Sequence, residues 1–209
     1  MRSPPTERTL PMPGTVAPST SENTLLAEFV VAQLDGIRGA AHGLTEEQLR
    51  RTPTASALSV GALMVHALHT TSGWLDRAEA APGRAASDQE AAEDWQANYA
   101  DDFTVRDTDT VASLDARLDA LARRVRSVVA GLDLTAHVPV PDDSPWWPAG
   151  VDGWSVRWVL LHLVQEVARH AGHADIIRES LDGATMYELM AAREGWPATE
   201  WLTPWTPLS

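Results

Sequence analysis

Apolar residues along most of this chain recur at spacings of three and four, the period of a helix that buries one face. Ser21 is placed to cap the first such run, which carries Leu25, Leu26, Phe29, Val30 and Leu34 and closes at His42 and Gly43. A short helical turn begins at Thr45. Ser59 then opens a second long helix through VGALMVHALHTTSGWLDRA, in which Leu63, His66, Thr70 and Trp74 fall on one stripe. Thr110 opens a third, with Val111, Leu114, Leu118, Leu121, Val125 and Val128 on one face, ending near Gly131. Ser155 opens a fourth, which runs to Asp182 and Gly183, and a shorter amphipathic piece, ATMYELMAARE, follows. The pattern predicts an all-α four-helix bundle with a short extra C-terminal helix.

The intervening segments read differently. Residues 1 to about 20, rich in Pro, Ser and Thr, predict a disordered tail before a single bundle domain over 21–209. From Ala81 to about Thr108 the acidic, irregular sequence predicts an exposed connection with a short helical turn around Glu93 to Tyr99. Between Asp133 and Gly153, Pro139, Pro141, Pro145 and Pro148 flank Trp146 and Trp147 and predict a rigid aromatic loop. No strands are expected.

The fourth helix carries an anomaly. At about 100° per residue, with His162 at zero, His173 lies near 20°, Glu166 near 40° and His170 near 80°, among Val159 and Ile177 near 60°. Arg157, Gln165, Asp175 and Glu179 make a solvent face on the other side. Polar groups aimed at a core are costly unless something satisfies them. Glu166 and His170 stand at i and i+4, so both can reach one cation from successive turns. A third ligand comes from another helix: His66, flanked by apolar residues on a core stripe, is the best candidate and His69 the fallback, whereas His42 and His137 lie in turns or loops.

Composition narrows the chemistry. Sixteen basic residues, all arginine, stand against 29 acidic ones, a net charge of −13 that repels nucleic acid and anionic membranes. There is no lysine and no cysteine, which removes Schiff bases, protein thiolates, disulfides and cysteine-ligated metals. The N-terminus lacks the apolar run of a signal peptide, and no stretch approaches ~18 uninterrupted apolar residues. A soluble, cytoplasmic protein is expected. Two imidazoles and a carboxylate suit a divalent first-row metal, zinc foremost, with nickel or iron as other fits, and three protein ligands leave a position open.

Two stretches carry a family resemblance: LTEEQLRRTPTASALSVGALMVHALHTTSGWLDRA, with a histidine eight residues before a tryptophan, and GWSVRWVLLHLVQEVARHAGHADIIRESLDG. The chain resembles the DinB/YfiT-like superfamily, in particular its mycothiol-dependent maleylpyruvate isomerase-like branch, over roughly Glu22 to Gly195. In that branch a histidine of the second helix and a Glu-x-x-x-His pair on the last bundle helix hold the metal. Carried over, these are His66, Glu166 and His170. His173 is then a candidate for orienting a ligand or substrate, and His162, Arg169 and Arg178 are expected to be structural. Trp74, Trp146, Trp147 and Trp154 are expected to pack, at the mouth of any pocket.

The resemblance implies an enzyme that uses a low-molecular-weight thiol, mycothiol-like, in S-transfer to or isomerisation of an electrophilic small molecule. About 25 residues follow Gly183, short of the further domain of the isomerase pattern, which argues against that specific isomerisation. Two other readings stand beside it: a metal-dependent hydrolase using metal-bound hydroxide, and a non-catalytic metal- or ligand-binding bundle. Bundles of this kind pair through helix faces, so a homodimer is compatible with the resemblance.

Overall fold

Side-chain caps set where the helices start. In the computed structural model, which describes residues 15–86, 88, 101–140 and 150–207, Ser21, Ser59, Thr110 and Ser155 each accept a hydrogen bond from the backbone N–H three residues on. They open α1 (Glu22–Ala40), α3 (Val60–Ala80), α4 (Val111–Val129) and α5 (Val156–Asp182). Thr45 forms a capping box with Gln48 at the short α2 (Glu46–Arg50), and α6 (Met186–Glu194) lies between two glycines, Gly183 and Gly195, with φ of 78° and 68°. These starts agree with the expectations from the sequence.

Helices α1 and α3 each pack against both α4 and α5, so the four long helices form a ring in the order α1, α5, α3, α4. Their apolar faces meet at the centre, where Leu34, Ile37, Leu63, Leu75, Leu114, Leu118, Leu160 and Leu163 are buried. Truncating one such leucine to alanine costs roughly 2–5 kcal/mol. The architecture is the expected all-α bundle. Among the described residues no helix is long and apolar enough to cross a membrane.

Two expectations need correction. The segment expected to lack strands contains β1 (His137–Pro139), antiparallel to β2 (Gly153–Ser155), with Val138 opposite Trp154. Three residues are too few for an alternating pattern to register in the sequence, and Pro139 argued against it. At Gly153 a Cβ would overlap the His137 ring, so glycine permits the close pairing that carries Trp154 to the start of α5. The second correction concerns the acidic connection. Residues 101–108 are largely exposed as expected, but the connection is not exposed throughout: Ala85 is buried and the half-buried Phe103 packs against α3 and α5. The helical turn expected around Glu93 to Tyr99, residues 1–14 of the tail, and Trp146 and Trp147 lie outside the described residues.

Candidate metal centre

Helix α3 contributes His66 and α5 contributes Glu166 and His170, one turn apart. The two helices run antiparallel, because His66 faces His170 while Trp74, two turns further along α3, faces His162 and Trp158, earlier on α5. The group converges. The Glu166 Oε1 lies 3.2 Å from His170 Nε2 and 3.5 Å from His66 Nε2, and one ligand atom from each of the three residues falls within 4.8 Å of the others. The sequence-predicted set is thus brought together, with His66 and not His69 as the third member.

His66 is the most telling of the three. It is buried, yet neither Nδ1 nor Nε2 has a hydrogen-bond partner among the described residues, since the 3.5 Å approach to Glu166 lies at the limit of a hydrogen bond. The Phe103 ring stacks on it at 4.2 Å, nearly parallel, and His170 meets it edge-on at 4.6 Å. Leaving a buried polar group unpaired costs about 1–3 kcal/mol. An acceptor nitrogen aimed at a carboxylate and a second imidazole is what a cation would satisfy. His170's hydrogen bond and then His66's ring hold the Glu166 carboxyl well below the usual carboxylate range, against the opposing push of burial. The donor set is therefore one anionic oxygen and two imidazole nitrogens, which fits a divalent metal.

The neighbouring histidines take other work. His69, the fallback ligand, is bound through Nδ1 to Asp102 Oδ1 at 3.1 Å. The ring of His162 stacks on Trp158 at 5.1 Å and meets Trp74 edge-on at 4.8 Å, and burial lowers its pKa from the ordinary histidine value. His137 sits on β1 and His42 packs against Trp205. His173 is half-buried, and no hydrogen bond ties it to the group among the described residues.

Trp74, Trp154, Trp158 and His162 form one continuous aromatic wall one to two turns from the metal group, with ring centroids 4.8–5.8 Å apart and the Arg77 guanidinium 5.1 Å from the Trp74 ring. The sequence marked Trp74 and Trp154 for packing but did not mark Trp158, which sits on the polar side of the helical wheel. Phe103 was missed altogether. Its signal was faint: one of only two phenylalanines, set in the acidic stretch DDFTV.

Comparison with known proteins bears on this arrangement. No curated protein matches the chain. A conserved protein of Enterococcus faecalis, known from its crystal structure, matches at 16% identity with a TM-score of 0.56, covering 79% of this chain and 100% of that one, and shows the fold alone. A family model for mycothiol-S-transferases matches residues 25–183, a span that contains the four long helices except the first turn of α1, and all three residues of the candidate metal group. The chain belongs to the mycothiol-S-transferase family, of the DinB/YfiT-like kind.

Proposed function

We propose that this protein is a metal-dependent transferase that joins a low-molecular-weight thiol, mycothiol or a close analogue, to an electrophilic small molecule. His66, Glu166 and His170 would hold a divalent first-row metal. The observation that carries this reading is the buried imidazole of His66, which has no hydrogen bond among the described residues and whose Nε2 lies 3.5 Å from Glu166 Oε1, beside His170. When bound, such an ion lowers the pKa of a coordinated thiol and so supplies a thiolate at neutral pH.

The chain's own residues account for the rest. Glu166, kept ionised by its two histidine neighbours, offsets positive charge in a site that carries no other carboxylate within the group. Phe103 covers His66 and limits the access of water, which strengthens electrostatic interactions beneath it. The aromatic wall offers an apolar surface for the acceptor. With no cysteine or lysine in the chain, the nucleophile must be brought in. In the transfer the thiol loses its proton to solvent, its sulfur forms a C–S bond to the electrophile, and the leaving group departs with the electron pair of the broken bond.

The test is thiol dependence in metal-loaded protein. Conversion of an alkyl or aryl halide to the thioether should saturate in thiol, disappear on chelation and be absent from His66→Ala. Thiol that inhibits turnover of a labile amide, with no thioether formed, would transfer the assignment to a hydrolase.

A further inference from the structure

On the side of α5 turned away from the metal group, α1, α5 and α6 enclose a cavity of about 530 Å³. Small-ligand sites typically measure ~300–1,000 Å³. Ala168, Ala171, Gly172 and Asp175 line it at about 180–280° on the wheel that places Glu166 and His170 near 40° and 80°, so the helix itself separates the two regions.

The cavity exists because the facing positions are small. At its floor α1 and α5 come close, and a Cβ on Gly36 would lie 3.3 Å from that of Ala171. Gly39 and Gly172 line the same space, yet a Cβ on either would meet nothing within 4 Å. Glycine inside a helix costs roughly 1 kcal/mol relative to alanine. Two positions where alanine fits thus hold glycine and keep the space open. Met186 and Met190 of α6 close the other side with unbranched, adaptable side chains.

The charges around the cavity do not balance. Arg38 is already held, donating to Asp35 at 2.7 Å and to Asp115 at 2.9 Å, and Arg193 donates to the same Asp115 at 3.1 Å. Asp175 has no basic partner among the described residues. Burial, reinforced by the nearby Glu179, pushes its carboxyl up to about 6. Glu194, also in the lining, is raised by burial. Asp175, expected on the solvent face of α5, is instead half-buried in this lining.

We propose that this cavity is a second small-molecule site for an apolar organic cation, such as a primary alkylammonium, with its charged head against Asp175 and Glu194 and its hydrocarbon body between Gly39, Gly172 and the two methionines. An anion would meet the Asp175 and Glu194 carboxylates, while the lining arginines Arg38 and Arg193 are already engaged by Asp35 and Asp115. A neutral ligand of the same shape would leave Asp175 without a counter-charge.

The inference is independent of the metal, so it can be tested on the full chain with metal content monitored separately. At pH 7.5, n-hexylammonium titrated by calorimetry should bind with a millimolar or tighter Kd, and hexanoate should bind at least tenfold more weakly. Asp175→Asn should weaken hexylammonium at least tenfold, and Gly172→Leu or Gly39→Leu should abolish binding while leaving helical content and metal stoichiometry intact. Two leucine variants guard against one that fails to fold. Equal binding of hexanoate, undiminished affinity in Asp175→Asn, or wild-type affinity in a folded leucine variant would each overturn the proposal. So would no hexylammonium binding in a wild-type protein that sediments as a dimer and that Gly172→Leu dissociates, because the cavity would then belong to a protein contact.

Discussion

Two buried polar groups meet α5 and are treated in opposite ways. Near its C-terminal end, Arg178 is fully buried and almost fully provided for: it donates to Asp182 at 2.9 Å and to the backbone carbonyls of Ala40 and His42 at 2.8 and 2.6 Å. Nη2, which has no acceptor among the described residues, belongs to a guanidinium lying 4.7 Å from the Trp205 ring. In the middle of the helix, His66 approaches from α3, almost as deeply buried, with neither nitrogen hydrogen-bonded among the described residues. The chain ties down its charge near the end of α5 and leaves an imidazole without a hydrogen bond among the described residues at the middle. Folded proteins satisfy the great majority of buried polar atoms, and in the proposed function a metal ion is what would satisfy His66.

The comparison can be broken most forcefully at Arg178. Arg178→Ala removes an ion pair and two backbone hydrogen bonds and leaves Asp182 in a buried setting, so it should cost about 3–5 kcal/mol in chemical denaturation. A loss below about 1 kcal/mol would mean that its partners are incidental.

A smaller effect is expected at Asp175. Its folded-state pKa of about 6 exceeds the unfolded value of ~3.9, so the native state binds more protons between them and stability falls as pH rises from about 4 through about 6. Asp175→Asn should therefore raise stability at pH 7.5 by about 1–2 kcal/mol, allowing for solvent screening, and leave it unchanged at pH 3. Denaturation curves at the two pH values decide it. Loss of the cap in Ser155→Ala should cost about 1 kcal/mol in the same measurement.

The smallest change sharpens the contrast most. In metal-free protein, His66→Leu breaks no hydrogen bond among the described residues, loses only the 3.5 Å approach to Glu166 and replaces a polar ring with an apolar side chain, so stability should move by no more than about 1 kcal/mol, in either direction. A loss of about 3 kcal/mol would show that His66 is a structural group like Arg178.

How far each of these was legible in the sequence follows from the range of the interactions. The helix starts were legible because a cap and its N–H are three residues apart, and Ser21, Ser59, Thr110 and Ser155 all proved to be N-caps. Glu166 and His170 were legible as a pair because one helical turn joins them. His66 needed its apolar flanks and the family resemblance to be preferred over His69, and the structure supplies a physical reason: Asp102 engages His69. Phe103 over His66, Trp74 against Trp158 and His162, and the depth of Asp175 were not legible, because each depends on contacts between segments far apart in the chain. The β1–β2 pairing was hidden by its brevity and by Pro139.

The central claim is that His66, Glu166 and His170 together hold a divalent metal, and elemental analysis of protein purified without added metal tests it most directly. The wild type should carry about one first-row ion per chain, and His66→Ala, Glu166→Ala and His170→Ala should each lose it with helical content unchanged, while His69→Ala and His162→Ala retain it. Full metal content in Glu166→Ala, or none in a wild-type protein reloaded with zinc, would contradict the account.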